Sequence, residues 1–287
     1  MGISYVDAPM QNKDIISLLH SPFKEWFVGK FGSFTLPQRH AFPIIHGRQS
    51  VLVSAPTGSG KTLSAFGSVL NEMLDLEAKG KLENRVYCIY VSPLKALNND
   101  VEKNLKGPIK EIEDMLGRDV GLRVGVRTGD TTAYEKQKMV KNPPHILITT
   151  PESLAIVLSS VKFCEHLKGC EWLIVDEIHS LAENKRGVHL SLTMERLSRT
   201  CPGLTRIGLS ATVSPLDEVA QFLVGSGDCK VVDVQFIKEY DFAVMSPVKN
   251  MIDTDQRIVQ KRLYDQLDSL IQEHRTTLIF TNTRAAT

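Results

Sequence analysis

The chain has 287 residues, 42% hydrophobic and 23% charged, with a formal net charge of +1. That length holds one large domain, or one domain and part of another, and the composition is that of a globular protein with a sizeable core. The near-neutral balance excludes a partner selected by bulk charge, so any nucleic-acid site must be a local surface feature.

The opening MGISYVDAPMQNKDI lacks a basic start followed by an apolar run, so it does not read as a signal peptide. Apolar runs such as WLIV and HILI are far too short to span a bilayer. Five cysteines (Cys88, Cys164, Cys170, Cys201 and Cys229) with no Cys-x-x-Cys pair favour reduced thiols in an intracellular, cytoplasmic protein over a disulfide framework or a zinc site. No low-complexity tract and no repeat of solenoid period occurs.

In chain order, SVLVSA, VYCIYVS, LRVGVRT, HILITT, EWLIVDE and RIGLSAT have the length and β-branched content of buried strands. SAFGSVLNEMLDLEA places Phe66, Val69, Leu70, Met73 and Leu74 on one helical face. SPLKAL, TPESLAIVL and SPLDEVAQFL each put Ser or Thr at an N-cap and Pro at the first helical position. The alternation predicts an α/β fold with a mostly parallel sheet covered by helices on both faces. After Gly225 the pattern loosens. SGDCKVVDVQFIKEY reads as a last strand and a crossing segment. DFAVMSP, a helix near Arg257 to His274, and Thr277 to Thr281 as a buried strand then begin a second unit. The expected division is 1–235 and 236–287.

APTGSGKT, Ala55 to Thr62, sits between a strand and an amphipathic helix, which is the setting of a phosphate-binding Walker A loop. Thr57, Gly58, Ser59 and Gly60 curl the backbone so that its N–H groups face phosphates, and the helix dipole adds to them. Lys61 is placed for the β- and γ-phosphates of ATP and the Thr62 hydroxyl for Mg²⁺. WLIVDEIH ends a buried strand with two carboxylates. Asp176 fits a Walker B role, holding Mg²⁺ mostly through water, and Glu177 would orient or deprotonate the attacking water. His179 could be a plain surface histidine, and LSAT could be a plain turn. Together they suggest that Ser210 and Thr212 reach His179 and carry the state of the γ-phosphate to another surface.

The N-termini of the SPLKAL and TPESL helices, together with Thr128-Gly129, offer backbone N–H groups at the ends of parallel strands, which suits phosphate binding without a large net charge. The expected nucleic-acid set is Pro93, Lys95, Arg127, Thr128, Gly129, Thr150, Pro151, Glu152 and Ser153. Lys95 and Arg127 are each equally readable as solvated surface residues, and so is the loop of Lys185 and Arg186. Aromatic content of 7% and the lack of a basic-aromatic stripe suggest backbone tracking over base stacking.

These motifs in this order resemble a superfamily 2 helicase of the DExH-box kind. FTLPQRHAFPIIHGRQSVLVSAPTGSGKT is similar to the adenine-reading Q region joined to the Walker loop. YVSPLKALNNDV, RTGDT and ITTPESL are similar to the successive nucleic-acid motifs, and LIFTNTR to the first motif of a second motor domain. VDEIHSLAENKRGVHLSLTMERLSRTCPGLTRIGLSATVSPLDEVAQFLVG resembles the large helicase-related (Lhr) family more specifically. The resemblance implies two RecA-like domains, ATP and Mg²⁺ in the cleft, single-stranded or forked DNA or an RNA–DNA hybrid across both, 3′-to-5′ translocation, and a DNA-repair setting. It implies that Gln38 reads the adenine edge with an aromatic such as Phe31 on the ring; without it, Gln38 reads as a polar residue at a helix start. The chain is expected to be the front part of a longer helicase, with 236–287 the first elements of the second motor domain. The arginines that reach the γ-phosphate lie in later family motifs, and Arg284 is not given that role. Residues 1–287 are therefore expected to bind ATP, turn it over very slowly and not unwind a duplex. The stub after 235 is expected to pack on the first domain or on a second copy of the chain. The alternatives are a nucleotide-dependent nucleic-acid-binding module without turnover and, more distantly, a small-molecule kinase or other P-loop NTPase.

Overall fold

The computed structural model describes residues 2–93, 95–235 and 242–281. In chain order the elements are β1 (Ile3–Tyr5), α1 (Asn12–Ser17), α2 (Ser21–Phe31), α3 (Leu36–His46), β2 (Val51–Ser54), α4 (Lys61–Ala78), β3 (Cys88–Val91), α5 (Lys95–Leu116), β4 (Val124–Arg127) and α6 (Ala133–Lys141). They continue as β5 (Ile146–Thr149), α7 (Pro151–Ser159), α8 (Val161–Leu167), β6 (Trp172–Val175), α9 (His179–Ala182), α10 (Lys185–Thr200), β7 (Thr205–Ser210), α11 (Leu216–Val224), β8 (Cys229–Asp233) and α12 (Gln256–Glu273). The chain divides into two units, Met1–Phe236 and Ile237–Thr287.

In the first unit the strands form an eight-stranded sheet in the order β1-β8-β2-β7-β6-β3-β5-β4. Every pairing is parallel. Residues of β2, β7, β6, β3 and β5 are buried on both faces, since successive side chains point to opposite sides and helices cover both, while the edge strands β1 and β4 are partly open. Val51, Val53, Tyr90, Ile148, Ile174 and Ile207 join one core with α1 to α5. Leu52, Ile89, Leu147, Leu173 and Val231 join the other with α7 to α11. The apolar face expected on α4 is there, with Phe66, Val69, Leu70, Met73 and Leu74 at most 1% exposed.

Two helix starts compare directly with the sequence. Thr150 caps α7, its hydroxyl accepting from the Ser153 N–H at 3.3 Å, with Pro151 in the first turn. At α11 the cap is Pro215 rather than the expected Ser214, and the helix begins at Leu216. The third, at SPLKAL, includes Leu94 and falls outside the described residues. Strand β1, which lies at the sheet edge against β8, carries no sequence signal because three residues are too few to show a period.

Residues 23–42 concentrate aromatic rings at the foot of α2 and α3. Phe27 stacks on Phe34 at 4.1 Å between centroids, and Phe23 lies 5.5 Å from Trp26 and 6.4 Å from Phe42. This cluster packs against α4 and α5.

In the second unit α12 is capped by Asp255, which accepts from the Arg257 N–H at 2.8 Å. Its Ile258, Leu263, Tyr264 and Ile271 are exposed. Thr277–Thr281 is not the buried strand that its sequence suggests: it belongs to no sheet, and Leu278 and Phe280 are 76% and 86% exposed. A strand is held by ladder neighbours rather than by its own residue types, and the neighbours decide here. Among the described residues no helix is long and apolar enough to cross a membrane.

Gly187 shows how tightly the turn between α9 and α10 is closed. A Cβ there would lie 2.0 Å from the Leu181 carbonyl oxygen, a backbone atom that cannot swing aside. Gly187→Ala is expected to cost about 1–3 kcal/mol through forced backbone displacement, measured as a drop in urea midpoint. An unchanged midpoint would contradict this packing.

Candidate functional site

The loop Ala55–Gly60 leaves the C-terminal end of β2 and turns into α4. Gly58 and Gly60 adopt φ of 77° and 87°, the left-handed region open to glycine. A Cβ on Gly60 would sit 2.7 Å from Gln38 Nε2. Gln38 is only 4% exposed. Its Oε1 accepts from the Thr35 N–H at 2.9 Å and its Nε2 donates to the Gly60 carbonyl at 3.4 Å, while the Thr35 hydroxyl donates to the Ser59 carbonyl at 2.9 Å. The start of α3 is thus bolted to the Gly-rich loop, and the Gln38 carboxamide is engaged there. The helicase resemblance gives this residue to the adenine edge; its carboxamide here meets the Thr35 N–H and the Gly60 carbonyl.

Lys61 is 7% exposed. Its ammonium folds back on its own loop, donating to the Ala55 carbonyl and, at 3.0 Å, to the Pro56 carbonyl. Burial pulls its pKa below the ordinary lysine value, and the charges of Glu177 and Asp176 act in the opposite sense. The first-turn N–H groups of α4 have no intrahelical acceptors, and Ser59 Oγ is buried without a hydrogen-bond partner. Positive charge, helix N-terminus and orphaned polar atoms together call for an anion.

Across from the loop, β6 delivers Asp176 and Glu177. Asp176 Oδ2 accepts from the Tyr90 hydroxyl and Oδ1 from the Glu177 N–H at 3.0 Å. Glu177 has φ of 47°, an uncommon conformation for a residue with a side chain, and it turns that side chain toward the loop side of the sheet. Thr57, Gly58, Gly60, Lys61, Thr62, Asp176 and Glu177 line one cavity of about 560 Å³, whose far wall is Trp26 and Phe31. Phe31, the aromatic that the helicase resemblance sets beside an adenine ring, is among the lining residues. Lys30, also in the wall, is held by Glu111 at 2.6 Å.

The oxygen donors present fit Mg²⁺. Thr62 and Asp176 share the cavity, and a hydroxyl plus one carboxylate suits an ion that keeps most of its waters and is shared with phosphates. Among the described residues no group of three or more His, Cys, Asp or Glu side chains could hold a metal.

His179 links the acids to β7. Its Nδ1 accepts from the Ala211 N–H at 3.3 Å, with Ser210 Oγ at 3.2 Å. The accepting nitrogen carries no proton, so the ring proton of the neutral imidazole is on Nε2, which lies 3.3 Å from Glu177 Oε2. Thr212 is exposed and makes no bond to His179. The backbone N–H of Ala211 takes the place expected of the Thr212 hydroxyl.

The expected nucleic-acid residues gather at the ends of β3, β5 and β4. Two of the donors taken as free are spent. The Thr128 N–H donates to Thr131 Oγ1 at 2.8 Å, and the Ser153 N–H to Thr150 Oγ1 at 3.3 Å. Gly129 is exposed. Arg127 is 8% exposed, stacked 4.6 Å over the Phe163 ring, with Nη1 unpartnered and its pKa lowered by burial. The Lys95 side chain lies outside the described residues. Arg186 is a tie rather than a solvated residue: it donates to the Glu152 carboxylate at 2.6 Å and to the Pro93 carbonyl at 2.8 Å. It thereby joins α10, α7 and the loop after β3. This hydrogen bond is the main reason the Glu152 carboxyl lies below the usual range.

Residues 35–222 match the model of the DEAD/DEAH box helicase family. The chain is 55% identical to the ATP-dependent helicase Lhr-Core of Methanocaldococcus jannaschii, over 99% of this chain and 34% of the relative. It is 38% identical to the Lhr helicase/uracil glycosylase of Escherichia coli, over 95% of this chain and 19% of that one. The structure of Mycobacterium smegmatis helicase Lhr bound to ssDNA and AMP-PNP superposes with a TM-score of 0.82 at 37% identity, covering 95% of this chain and 35% of that chain. The chain spans about a third of the length of the Lhr-Core relatives.

The contact between Gly60 and Gln38 can be tested for stability. Gly60→Ala is expected to cost about 1–3 kcal/mol from the positive φ and the clash together. Part of that cost should vanish in a Gln38→Ala background, where the clashing amide is gone. Strictly additive urea midpoints in the four proteins would contradict the contact.

Proposed function

The chain belongs to the DEAD/DEAH box helicase family, and on that footing we propose that it is the ATP-binding motor unit of an Lhr-type helicase, hydrolysing Mg-ATP in response to single-stranded DNA. The observation that carries this reading is the convergence of Thr57, Gly58, Gly60, Lys61 and Thr62 with Asp176 and Glu177 on one cavity of about 560 Å³.

Lys61 leaves its loop carbonyls for the β- and γ-phosphate oxygens, and the N–H groups at the start of α4 hold the same phosphates. Thr62 and Asp176 would hold Mg²⁺, which would supply charge neutralisation at the phosphates. Glu177 orients the attacking water and accepts its proton, and His179 Nε2–H fixes the carboxylate that does so. Because His179 also contacts Ser210 and Ala211, any movement of Glu177 is felt at the end of β7. Among the described residues the cations in the cavity wall are Lys61 and the Glu111-bound Lys30. Slow basal turnover rests on the Lhr resemblance, in which the arginines that reach the γ-phosphate, a contribution of about 10³–10⁵ in rate, belong to later motifs. The single strand runs over the ends of β3, β5 and β4, past the exposed backbone of Gly129. A 3′-to-5′ direction, a repair setting and the division near residue 235 into two motor domains rest on the Lhr resemblance.

Nucleotide binding and hydrolysis, with and without a single-stranded oligonucleotide, test this reading. Lys61→Ala is expected to weaken ATP binding about 10- to 100-fold, the worth of a charge-assisted contact. Glu177→Gln is expected to keep binding while hydrolysis falls about 10²–10⁴-fold. Normal hydrolysis by Glu177→Gln would overturn the assignment of the base, and hydrolysis indifferent to DNA would overturn the motor reading. Binding of nucleotide with no turnover under any condition would favour a binding module.

Oligonucleotide affinity is a separate check on the proposed strand path. It should fall steeply as salt rises and differ little among sequences of equal length, because phosphates and not bases are held. Salt-insensitive binding would contradict that path.

A further inference from the structure

Tyr90 sits in β3, in the middle of the sheet, and its side chain is fully buried. A phenylalanine would fill that core equally well, so the hydroxyl needs its own explanation. Parallel pairing sets Tyr90 opposite Ile174, and Asp176 follows two residues later on the same face. The phenol therefore reaches just past the end of β6, where it donates to Asp176 Oδ2. The other oxygen, Oδ1, accepts the Glu177 N–H at 3.0 Å. One bond comes from the neighbouring strand and one from the chain's own backbone, and together they fix the plane of the carboxylate.

We propose that Tyr90 is a positioning residue for the metal–nucleotide site: its hydroxyl holds the Asp176 carboxylate in the orientation that presents it, with Thr62, to the ATP cavity. This inference rests on the Mg-ATP reading of that cavity. A carboxylate free to rotate would lose alignment with a hydrated ion, whereas the phosphate contacts of Lys61 and the loop would be untouched. The consequence is selective: loss of the hydroxyl should weaken the metal dependence of binding and spare metal-free binding.

The test is a fluorescence titration of Mg²⁺ into the 287-residue chain with N-methylanthraniloyl-ATP at fixed concentration. Tyr90→Phe is expected to raise the Mg²⁺ concentration for half-maximal signal about tenfold or more, as loss of a hydrogen bond that orients a metal-binding group does elsewhere. Affinity for the same nucleotide in EDTA should be unchanged. In an Asp176→Asn background, removal of the Tyr90 hydroxyl should shift nothing further, because its effect passes through Asp176. An unchanged Mg²⁺ midpoint in Tyr90→Phe would overturn the inference. So would an equal shift in the Asp176→Asn background, or a loss of binding in EDTA as well, which would mark the phenol as a structural support. Failure of the unsubstituted chain to bind the nucleotide with Mg²⁺ present would refute the ATP reading itself.

Discussion

Parallel pairing of β2, β7 and β6 puts the C-terminal ends of three strands side by side, with Ser54 opposite Ser210 and Val175 opposite Gly208. In a parallel sheet all the loops that follow the strands emerge at one edge, so the Gly-rich loop, the 209–212 turn and the Asp176–His179 segment meet without any long excursion. Strands β3, β5 and β4 deliver a second set of loops at the same edge. The loops after β2, β7 and β6 thus form the proposed phosphate site and those after β3, β5 and β4 the proposed strand path, with Arg186 tying α10 to the second set. Gly208 belongs to this arrangement: a Cβ there would meet Leu223 and Leu52 at 3.0 Å, so its absence lets α11 close on the central strands.

Within that frame the cavity is held ready by strain and by borrowed partners. Glu177 keeps a positive φ because its neighbours are fixed on both sides: the Asp176 N–H donates to the Val91 carbonyl and the Ile178 N–H to the Leu209 carbonyl. Lys61 satisfies its charge on carbonyls of its own loop, which are weaker acceptors than phosphate oxygens. Both features keep charged groups in place before a ligand arrives, and an anion at the helix start would give Lys61 the stronger partner.

Much of this was legible in the amino-acid sequence because the signals are local. Strands from SVLVSA to RIGLSAT, the buried face of α4 and the residues of the Gly-rich loop are set by period, glycine placement and strand-to-helix context. What escaped depends on partners distant in sequence. Tyr90 looked like another strand residue until Asp176 appeared above it. The Thr128 N–H looked free because its acceptor, Thr131, belongs to a turn whose geometry no period reports. Arg186 looked solvated until α10 was set beside α7. The rings of residues 23–42 were visible in FKEWFVGKFGSF, yet overall aromatic content masked their local concentration. Thr277–Thr281 failed in the opposite sense, since a β-rich run makes a strand only where a ladder receives it.

The central claim is that the buried Lys61 and the start of α4 form a phosphate site facing Asp176 and Glu177. A crystal structure of the 287-residue chain grown with Mg²⁺ and AMP-PNP tests it most directly. The account predicts phosphates against the backbone N–H groups of residues 58–62 and Lys61 Nζ transferred from the Ala55 and Pro56 carbonyls to a phosphate oxygen. Nucleotide bound elsewhere, with Lys61 still on those carbonyls, would contradict it.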